Sequence, residues 1–329
     1  MIDSPQARFD SLRALAAECH ARGDAEGAIL ALHRALVVRR DDLACQQLLC
    51  RLLYENPRAF APESPVSPVT VAREPELISV VVCSIDPAKF DRVRASYARA
   101  FGSAPWELVG IHDARSLAEG YRRGVDRSRG DVIVFSHDDI DILTGNLGGE
   151  LAFALEELDV VGVVGTTKLA GPAFAWGGKA HTRGRIAEPV AGGGVQLVVY
   201  NPAPGVTGGL QAIDGVFMAA RRETIVATGF DAETFDGFHL YDIDFSFRAH
   251  LSGKQVGVTS GIVLRHDSGG RFDATWEDYA RSFLVKFPSL KGDRVQNFMS
   301  RIPFPDADAL IAFCRRLDVA GRHSSDTRR

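Results

Sequence analysis

The chain has 329 residues, of which 46% are hydrophobic and 24% are charged, the balance of an ordinary globular protein. Its net charge of -4 provides no general basic field, so nucleic acid is not expected as a partner. The start of the chain lacks the pattern of a signal peptide, and no apolar run reaches the roughly 20 residues that span a bilayer. The five cysteines are scattered and form no C-x-x-C pair, which is typical of reduced thiols. We therefore expect a cytoplasmic protein without a transmembrane segment, either free or attached peripherally at the inner membrane.

Residues 1–60 are predicted to form a small helical segment, because apolar residues recur there every three or four positions. The stretch Leu15–Asp42 resembles one tetratricopeptide repeat, and a third helix is expected over Leu43–Tyr54. The residues at the packing positions of that repeat are Leu12, Leu15, Cys19, Ala28, Leu32 and Ala35. One repeat cannot bury its own apolar face, so the segment should pack on the main domain, on a protein partner or on a second copy. A plain helical hairpin without a partner role is the alternative.

A proline-rich linker is predicted over residues 61–76, since proline disfavours both helix and central strand. Apolar β-branched runs then alternate with helical segments across residues 77–290, which predicts an α/β domain with a mixed, mostly parallel sheet flanked by helices. Residues 171–212 are rich in glycine and are predicted to form an antiparallel excursion with a substrate loop. A C-terminal helix and a disordered tail are expected over residues 291–329.

Charged side chains follow the apolar strand predicted over Val132–Phe135, in the order His137, Asp138, Asp139. Open α/β sheets bind ligands beyond the carboxyl ends of their strands. Carboxylates at that place suit a hard divalent ion that also binds phosphate oxygens. A solvated turn with a capping aspartate is the alternative interpretation.

Two further segments carry candidate site residues. Asp242 and Asp244 open an amphipathic helix, whose first turn favours anions and so keeps a general base ionised. Simple helix capping would explain them equally well. His266 follows a later strand and enters a glycine-containing loop, where a neutral imidazole could bind a metal ion or serve a structural role.

Taken together, these segments resemble the family-2-like glycosyltransferases with the GT-A fold, in particular the bacterial group with a short HDD metal motif. The resemblance covers about residues 77–290. The matching stretches are Ile78–Ser84, Leu117–Gly124, Gly130–Asp139, Asp214-Gly215, Arg221-Arg222-Glu223 and Gly229-Phe230-Asp231. The base motif of the family is usually Glu-Asp but reads Tyr241-Asp242 here, which leaves the base open between Asp242 and Asp244.

The resemblance implies roles for individual residues. Asp139, helped by Asp138, would hold Mn²⁺ or Mg²⁺ against the donor diphosphate, with His266 as a further ligand. Asp242 would deprotonate an acceptor hydroxyl, and one direct displacement would invert the anomeric carbon. The residues expected at the nucleotide are Ser84, Asp86, Asp113 and Asp138, and those expected at the substrate are Asp214 and Gly215.

The implied activity is hexosyl transfer from a nucleotide-sugar, with UDP-sugars as the commonest donors, to a glycan, a lipid-linked or a protein acceptor in polysaccharide biosynthesis. The alternative function is a catalytically inactive nucleotide-binding or scaffold protein that acts through its N-terminal helices. A dinucleotide-binding enzyme is not expected, because no G-x-G-x-x-G follows a strand.

Overall fold

The computed structural model describes residues 4–59, 74–270, 272–296 and 299–322. Most of the predicted linker and the end of the predicted tail lie outside these ranges. The α-helices in the described residues are α1 (Pro5–Ala21), α2 (Ala25–Val38), α3 (Leu43–Glu55), α4 (Pro87–Phe101), α5 (Leu117–Arg127), α6 (Leu147–Glu157), α7 (Arg222–Thr228), α8 (Tyr241–Leu251), α9 (Ala274–Lys286) and α10 (Ala307–Arg322).

The β-strands in the same ranges are β1 (Ile78–Cys83), β2 (Trp106–Ile111), β3 (Val132–Ser136), β4 (Ile140–Ile142), β5 (Val160–Gly162), β6 (Val164–Thr166), β7 (Thr182–Pro189), β8 (Val195–Asn201), β9 (Val206–Thr207), β10 (Ala212–Ile213), β11 (Phe217–Arg221), β12 (Val256–Thr259), β13 (Leu264–His266) and β14 (Ser300–Phe304). None of the helices described is both long enough and apolar enough to cross a membrane.

A first sheet has the strand order β2-β1-β3-β11-β5-β12-β9. Among its described neighbours, three pairs are parallel and three antiparallel, so the predicted mixed α/β class is confirmed. Helices cover both faces, and the side chains of β1 therefore alternate between two cores. Val80 and Val82 pack in a cluster with Phe90 of α4, whereas Val81 packs in a cluster with Tyr121 of α5.

The antiparallel strand β11 positions the candidate site. It runs opposite to β3, so Phe217 at its start pairs with Ser136 at the end of β3. The backbone N–H of His137 donates to the carbonyl of Val216 at 3.2 Å. The loop between β10 and β11, which contains Asp214, is thereby held beside the residues that follow β3.

A second sheet has the order β10-β6-β7-β13-β4, with β8 paired to β7 and β14 paired to β8. The apolar run at residues 160–165 divides into β5 and β6, which belong to different sheets. Residues 254–268 divide in the same way into β12 and β13. Gly184 of β7 has a φ of +98° and packs against the point where the run at residues 160–165 divides, since an added Cβ would lie 2.0 Å from the carbonyl oxygen of Val163.

The N-terminal helices share a hydrophobic core with the second sheet and with α10. Buried residues from each element contribute to it, including Leu36 of α2, Leu49 of α3, Leu197 of β8 and Leu317 of α10. The elements on either side of the predicted domain boundaries, near residues 60 and 290, therefore share one hydrophobic core. Leu15 is 42% exposed, so it does not pack as the repeat pattern predicted. The likeness to a tetratricopeptide repeat stays a prediction.

Candidate active site

The end of β3 and the end of β13 bring together three side chains that could hold a metal ion. His137, Asp139 and His266 each offer one ligand atom, and these atoms lie within 4.8 Å of one another. The Nε2 atom of His266 is 3.2 Å from Oδ1 of Asp139 and 3.4 Å from Nδ1 of His137. Two imidazole nitrogens and one carboxylate oxygen form a donor set that fits a divalent ion. Sequence reasoning assigned Asp139 and His266 to the metal but gave His137 no separate role.

Strand pairing explains why residues so far apart in sequence meet. Strand β13 runs antiparallel to β4, which places His266 opposite Ile140, the residue after Asp139. The backbone N–H of Asp267 donates to the carbonyl of Asp139 at 3.0 Å, and this hydrogen bond ties the two loops together. The cluster is therefore built on paired backbone rather than on free loops.

The electrostatics of the cluster favour metal-binding protonation states for Asp139 and His137. The pKa of His266 is instead raised, because burial, which would lower it, is outweighed by the hydrogen bond with Asp139 and the charge of that carboxylate. Burial alone would raise the pKa of Asp139, but hydrogen bonds with His266 and Ser268 outweigh burial and hold that pKa well below its ordinary value. Burial, and then the positive charge of His266, lowers the pKa of His137. At neutral pH, Asp139 is thus a carboxylate and His137 a neutral imidazole, the forms in which both residues ligate metals.

Tyr241 supports the cluster from α8, in the position where the family motif usually has glutamate. Its buried hydroxyl lies 3.0 Å from Nε2 of His137 and 3.3 Å from the carbonyl oxygen of Gly215. A carbonyl can only accept, so all three groups are satisfied when the hydroxyl donates to Gly215 and accepts Nε2–H of His137. That tautomer leaves the lone pair of Nδ1 directed toward Asp139 and His266. The motif Tyr-Asp was visible in the sequence, but its contact with His137 was not.

Gly215 joins the metal-binding cluster to a second acidic group. Its backbone N–H donates to Oδ2 of Asp242 at 2.7 Å, while its carbonyl receives the Tyr241 hydroxyl. An added Cβ on Gly215 would lie 2.3 Å from that hydroxyl oxygen and 2.7 Å from Cβ of Asp242, so a larger residue would force the two apart. The neighbouring carboxylate of Asp214 accepts from the N–H of Val216 at 2.9 Å.

Asp242 has the protonation behaviour of a general base. Burial, followed by repulsion from the carboxylate of Asp214, raises its pKa to about 7, against the opposing effect of the N–H groups of Ile243 and Gly215. A carboxyl group with a pKa near neutrality can accept a proton and release it again, which an ordinary surface aspartate does poorly.

Asp244, the other candidate base, points to the opposite side of α8 into a paired network. Its side chain is fully buried. Arg248 Nε donates to Oδ2 at 2.8 Å, and Lys286 Nζ lies 2.6 Å from Oδ1. Lys286 also contacts Asp231 at 2.6 Å. With both oxygens held by cations, Asp244 is placed to link α8 to α9 and not to meet an acceptor.

The ends of β1 and β3 form a separate polar group. The hydroxyl of Ser84 donates to Oδ2 of Asp138 at 2.7 Å, and Lys89 Nζ lies 3.7 Å from Oδ1 of the same carboxylate. Nδ1 of His112, after β2, lies 2.8 Å from the carbonyl oxygen of Ser84. Asp138 therefore faces the β1 side, away from its neighbour Asp139.

The two remaining predicted nucleotide residues are engaged locally. Oδ1 of Asp86 accepts from the backbone N–H groups of Ala88 and Lys89, at 2.8 and 3.2 Å, and so caps α4. Asp113 forms an ion pair with Arg123, which lowers the pKa of the Asp113 carboxyl, and its side chain is 76% exposed.

Fold and site define an α/β domain with a histidine- and acid-lined cluster beyond the strand ends, where open sheets bind ligands. The chain matches the model of the glycosyltransferase-like family over residues 79–287, more than half of its length, and it belongs to that family. The predicted glycosyltransferase is thereby confirmed at family level, while the GT-A type and the narrower HDD group stay predictions. No curated protein sequence matches the chain.

Several solved structures are similar at low identity. The mannosyltransferase PcManGT from Pyrobaculum calidifontis, in complex with GDP-Man and Mn²⁺, has 13% identity and a TM-score of 0.41, with 94% of this chain and 84% of that chain covered. GalNAc-T7 with UDP, GalNAc and Mn²⁺ has 9% identity and a TM-score of 0.40, with 66% and 50% covered. TarS residues 1–349 from S. aureus has 12% identity and a TM-score of 0.36, with 65% and 72% covered. TM-scores at this level assign neither donor nor acceptor to this chain.

Proposed function

We propose that this chain transfers a sugar from a nucleoside-diphosphate donor, foremost a UDP-sugar, to an acceptor hydroxyl in a metal-dependent, inverting reaction. One observation carries the proposal: a metal-binding cluster and a carboxyl group with a pKa near 7 meet at a single residue, Gly215. A transferase that displaces a diphosphate with a hydroxyl can use both groups when they lie side by side.

The donor atoms favour Mn²⁺ over Mg²⁺. The cluster of His137, Asp139 and His266 offers two imidazole nitrogens, whereas Mg²⁺ strongly prefers an all-oxygen shell with several waters. When bound, the ion would offset the negative charge that develops on the leaving diphosphate.

Residues of the chain would supply the proton transfer and the contacts to the nucleotide. Asp242 would take the proton from the acceptor hydroxyl as the new glycosidic bond forms and the bond from the anomeric carbon to the diphosphate breaks. The N–H of Gly215 fixes one oxygen of Asp242, which leaves the other to accept the proton. Ser84 and Asp138 would contact the nucleoside, with Lys89 beside them to attract phosphate oxygens.

Ligand-dependent thermal stability tests the binding half of the proposal. The purified protein would be heated with UDP or GDP, each alone and each with Mn²⁺ or Mg²⁺. A ligand that binds only the folded state adds about 2.7 kcal/mol of stability at a hundredfold excess over its Kd. We expect a rise in Tm with UDP and Mn²⁺ together, a smaller rise with Mg²⁺, and little with UDP alone. Equal shifts with and without any metal would contradict the metal assignment.

Release of nucleoside diphosphate from a panel of nucleotide-sugars tests the chemical half, and it also separates the enzyme from a binding or scaffold protein. We expect Mn²⁺-dependent release of UDP from one donor, increased by a suitable acceptor. NMR of the product should show an inverted anomeric configuration. Tight binding of UDP and Mn²⁺ with no release from any donor would favour the inactive alternative.

A further inference from the structure

Aromatic side chains from two distant parts of the chain meet at the start of α9. Trp176 belongs to the glycine-rich segment, Trp276 lies in α9, and Phe272 lies in the loop before that helix. The ring centroids of Trp176 and Trp276 are 5.9 Å apart, and those of Phe272 and Trp276 are 5.0 Å apart. Direct ring contacts therefore join the three side chains into one surface, which we call the aromatic patch.

The aromatic patch is accessible although it is apolar. Phe272 is 67% exposed, and both tryptophans are only partly buried. Val295, itself 56% exposed, is held beside the patch because its backbone N–H donates to the carbonyl of Trp176 at 3.0 Å. Single exposed apolar residues are common on protein surfaces, whereas adjoining ones mark binding sites.

Short segments connect the aromatic patch to both loops that carry proposed catalytic residues. Phe272 follows the proposed metal ligand His266 by six residues, so their Cα atoms lie within about 22 Å of each other even at full extension. Tyr279 lies one turn after the patch on α9, and its hydroxyl donates to Oδ1 of Asp236 at 2.8 Å. Asp236 lies in the loop that leads into α8, the helix of the proposed base. An acceptor of several sugar units can therefore reach from the patch to the site.

The first turn of α9 is acidic. Asp273 and Glu277 flank Trp276, and both are exposed. Carboxylates at this place would repel an anionic lipid surface, but they would not repel a neutral sugar. One face of a pyranose ring presents mainly C–H groups, which pack against the electron-rich face of an aromatic ring. The hydroxyl groups of the same sugar can donate to carboxylates.

We propose that the aromatic patch binds a neutral pyranose unit of an oligosaccharide acceptor. The inference rests on the proposed function and names a saccharide, rather than a lipid or a protein, as the part of the acceptor that is recognised. The rings are inclined to one another by 57° and 70°, which gives a sugar an angled surface rather than a closed stack. The bound unit would hold the acceptor while a hydroxyl of another unit approaches Asp242.

Neutral tetrasaccharides test the binding directly. Cellotetraose, chitotetraose and mannotetraose would each be titrated against the full chain by ligand-observed NMR, with glycerol as the control polyol. We expect at least one tetrasaccharide to bind through the C–H protons of its sugar rings, and glycerol not to bind. No binding of any tetrasaccharide, or equal binding of glycerol, would overturn the proposal. Sedimentation with phosphatidylglycerol vesicles that is lost in Phe272→Ala would assign the patch to a lipid surface instead.

Variants locate the binding to the aromatic patch. Trp276→Ala should weaken tetrasaccharide binding about tenfold, and Trp276→Phe, which keeps a ring, should weaken it less. Phe272→Ala removes an exposed ring without disturbing the core and should weaken binding about threefold or more. Leu251→Ala removes a 60% exposed apolar side chain at the far end of α8 and should leave the affinity unchanged. Parent-like binding in both alanine variants of the patch, or an equal loss in Leu251→Ala, would contradict the inference.

Binding of UDP with Mn²⁺ is measured in parallel to report on the proposed function separately. The patch variants should keep the parent affinity for UDP with Mn²⁺, because their side chains are not among the proposed metal or nucleotide residues. A parent that binds a tetrasaccharide but not UDP with Mn²⁺ would contradict the proposed function and leave a saccharide site. A parent that binds UDP with Mn²⁺ but none of the tetrasaccharides would contradict this inference alone.

Discussion

The two carboxylates on α8 lie in opposite electrostatic environments. Asp242 faces another carboxylate, Asp214, and the contacts that favour its charged form come from backbone N–H groups. Asp244, two residues later, is fully buried but held between Arg248 and Lys286. One helix thus carries a half-buried carboxyl without a cationic partner on one side and a fully buried, paired carboxyl on the other.

This difference separates a carboxyl group suited to proton transfer from one that stabilises the fold. A buried charge costs several kcal/mol unless it is paired, so proteins usually neutralise such groups as they do at Asp244. A carboxyl group that faces another carboxyl instead keeps its proton up to a higher pH, which costs stability but equips it for proton transfer. The cluster of His137, Asp139 and His266 is likewise suited to chemistry rather than to stability, because its ligand atoms converge on a point where a cation could bind.

The largest effect is expected from removing a ligand of that cluster. Asp139→Ala should abolish metal-dependent nucleotide binding, a greater loss than the roughly 10–100-fold that follows removal of an outer-shell partner. His266→Ala should weaken binding less, because it removes a neutral ligand and keeps the carboxylate that offsets the charge of the ion. Asp141→Ala is the matched control, because its carboxylate contacts Ser96 and Arg99 instead. Calorimetric titration with Mn²⁺ and UDP measures each variant, and parent-like binding by Asp139→Ala would show that the metal lies elsewhere.

Removing the paired carboxylate of Asp244 should lower the free energy of unfolding. Asp244→Asn leaves Arg248 and Lys286 without their shared carboxylate, and breaking a buried ion pair typically costs about 3–5 kcal/mol. Urea unfolding at pH 7.5 measures the loss. An unfolding free energy equal to that of the parent would mean that the network is not a structural element.

A smaller effect is expected at the hydroxyl that orients His137. Tyr241→Phe keeps the ring but removes the acceptor of Nε2–H, so the affinity for Mn²⁺ should fall about 10-fold, at the lower end for outer-shell partners. Stability without metal should change little. Tyr279→Phe is the control, since its hydroxyl contacts Asp236 and not the cluster. A Tyr241→Phe variant with parent affinity would remove this residue from the metal site.

The smallest expected effect is the pH dependence of the parent. A base must be deprotonated, so kcat/KM should rise with pH and level off above the pKa of Asp242, about 7. At pH 6 the rate should be about tenfold below its plateau, because one carboxyl in about ten is then ionised. A profile that is flat between pH 5.5 and 8.5 would argue against a base with this pKa.

Much of this arrangement could be predicted from local sequence. The apolar run before His137 gives a buried strand, and the two-residue spacing of Asp242 and Asp244 turns their side chains by roughly 200°, so only one could face a given cleft. The capping role of Asp86 was also available, since an aspartate before a proline is a frequent helix start.

The remainder depends on long-range pairing that no local pattern reveals. Tyr241 meets His137 only because β11 runs antiparallel beside β3, whereas alternating strands and helices predict parallel neighbours. The division of two apolar runs between two sheets likewise has no local signal. The packing of residues 4–55 on the second sheet places β8 in a shared core, which repeat positions such as Leu15 did not predict.

The most direct test compares turnover and stability in Asp242→Asn and Asp244→Asn. Because the folded-state pKa of Asp242 lies above its unfolded value, the carboxylate lowers stability as pH rises from about 4 to about 7, and this penalty is fully present above pH 7. Asp242→Asn should therefore lower turnover about 10²-fold or more while its Tm at pH 8 stays at or above that of the parent. Asp244→Asn should lose stability and keep its turnover at temperatures where it is folded. Full turnover in Asp242→Asn, with turnover lost in folded Asp244→Asn, would contradict the account.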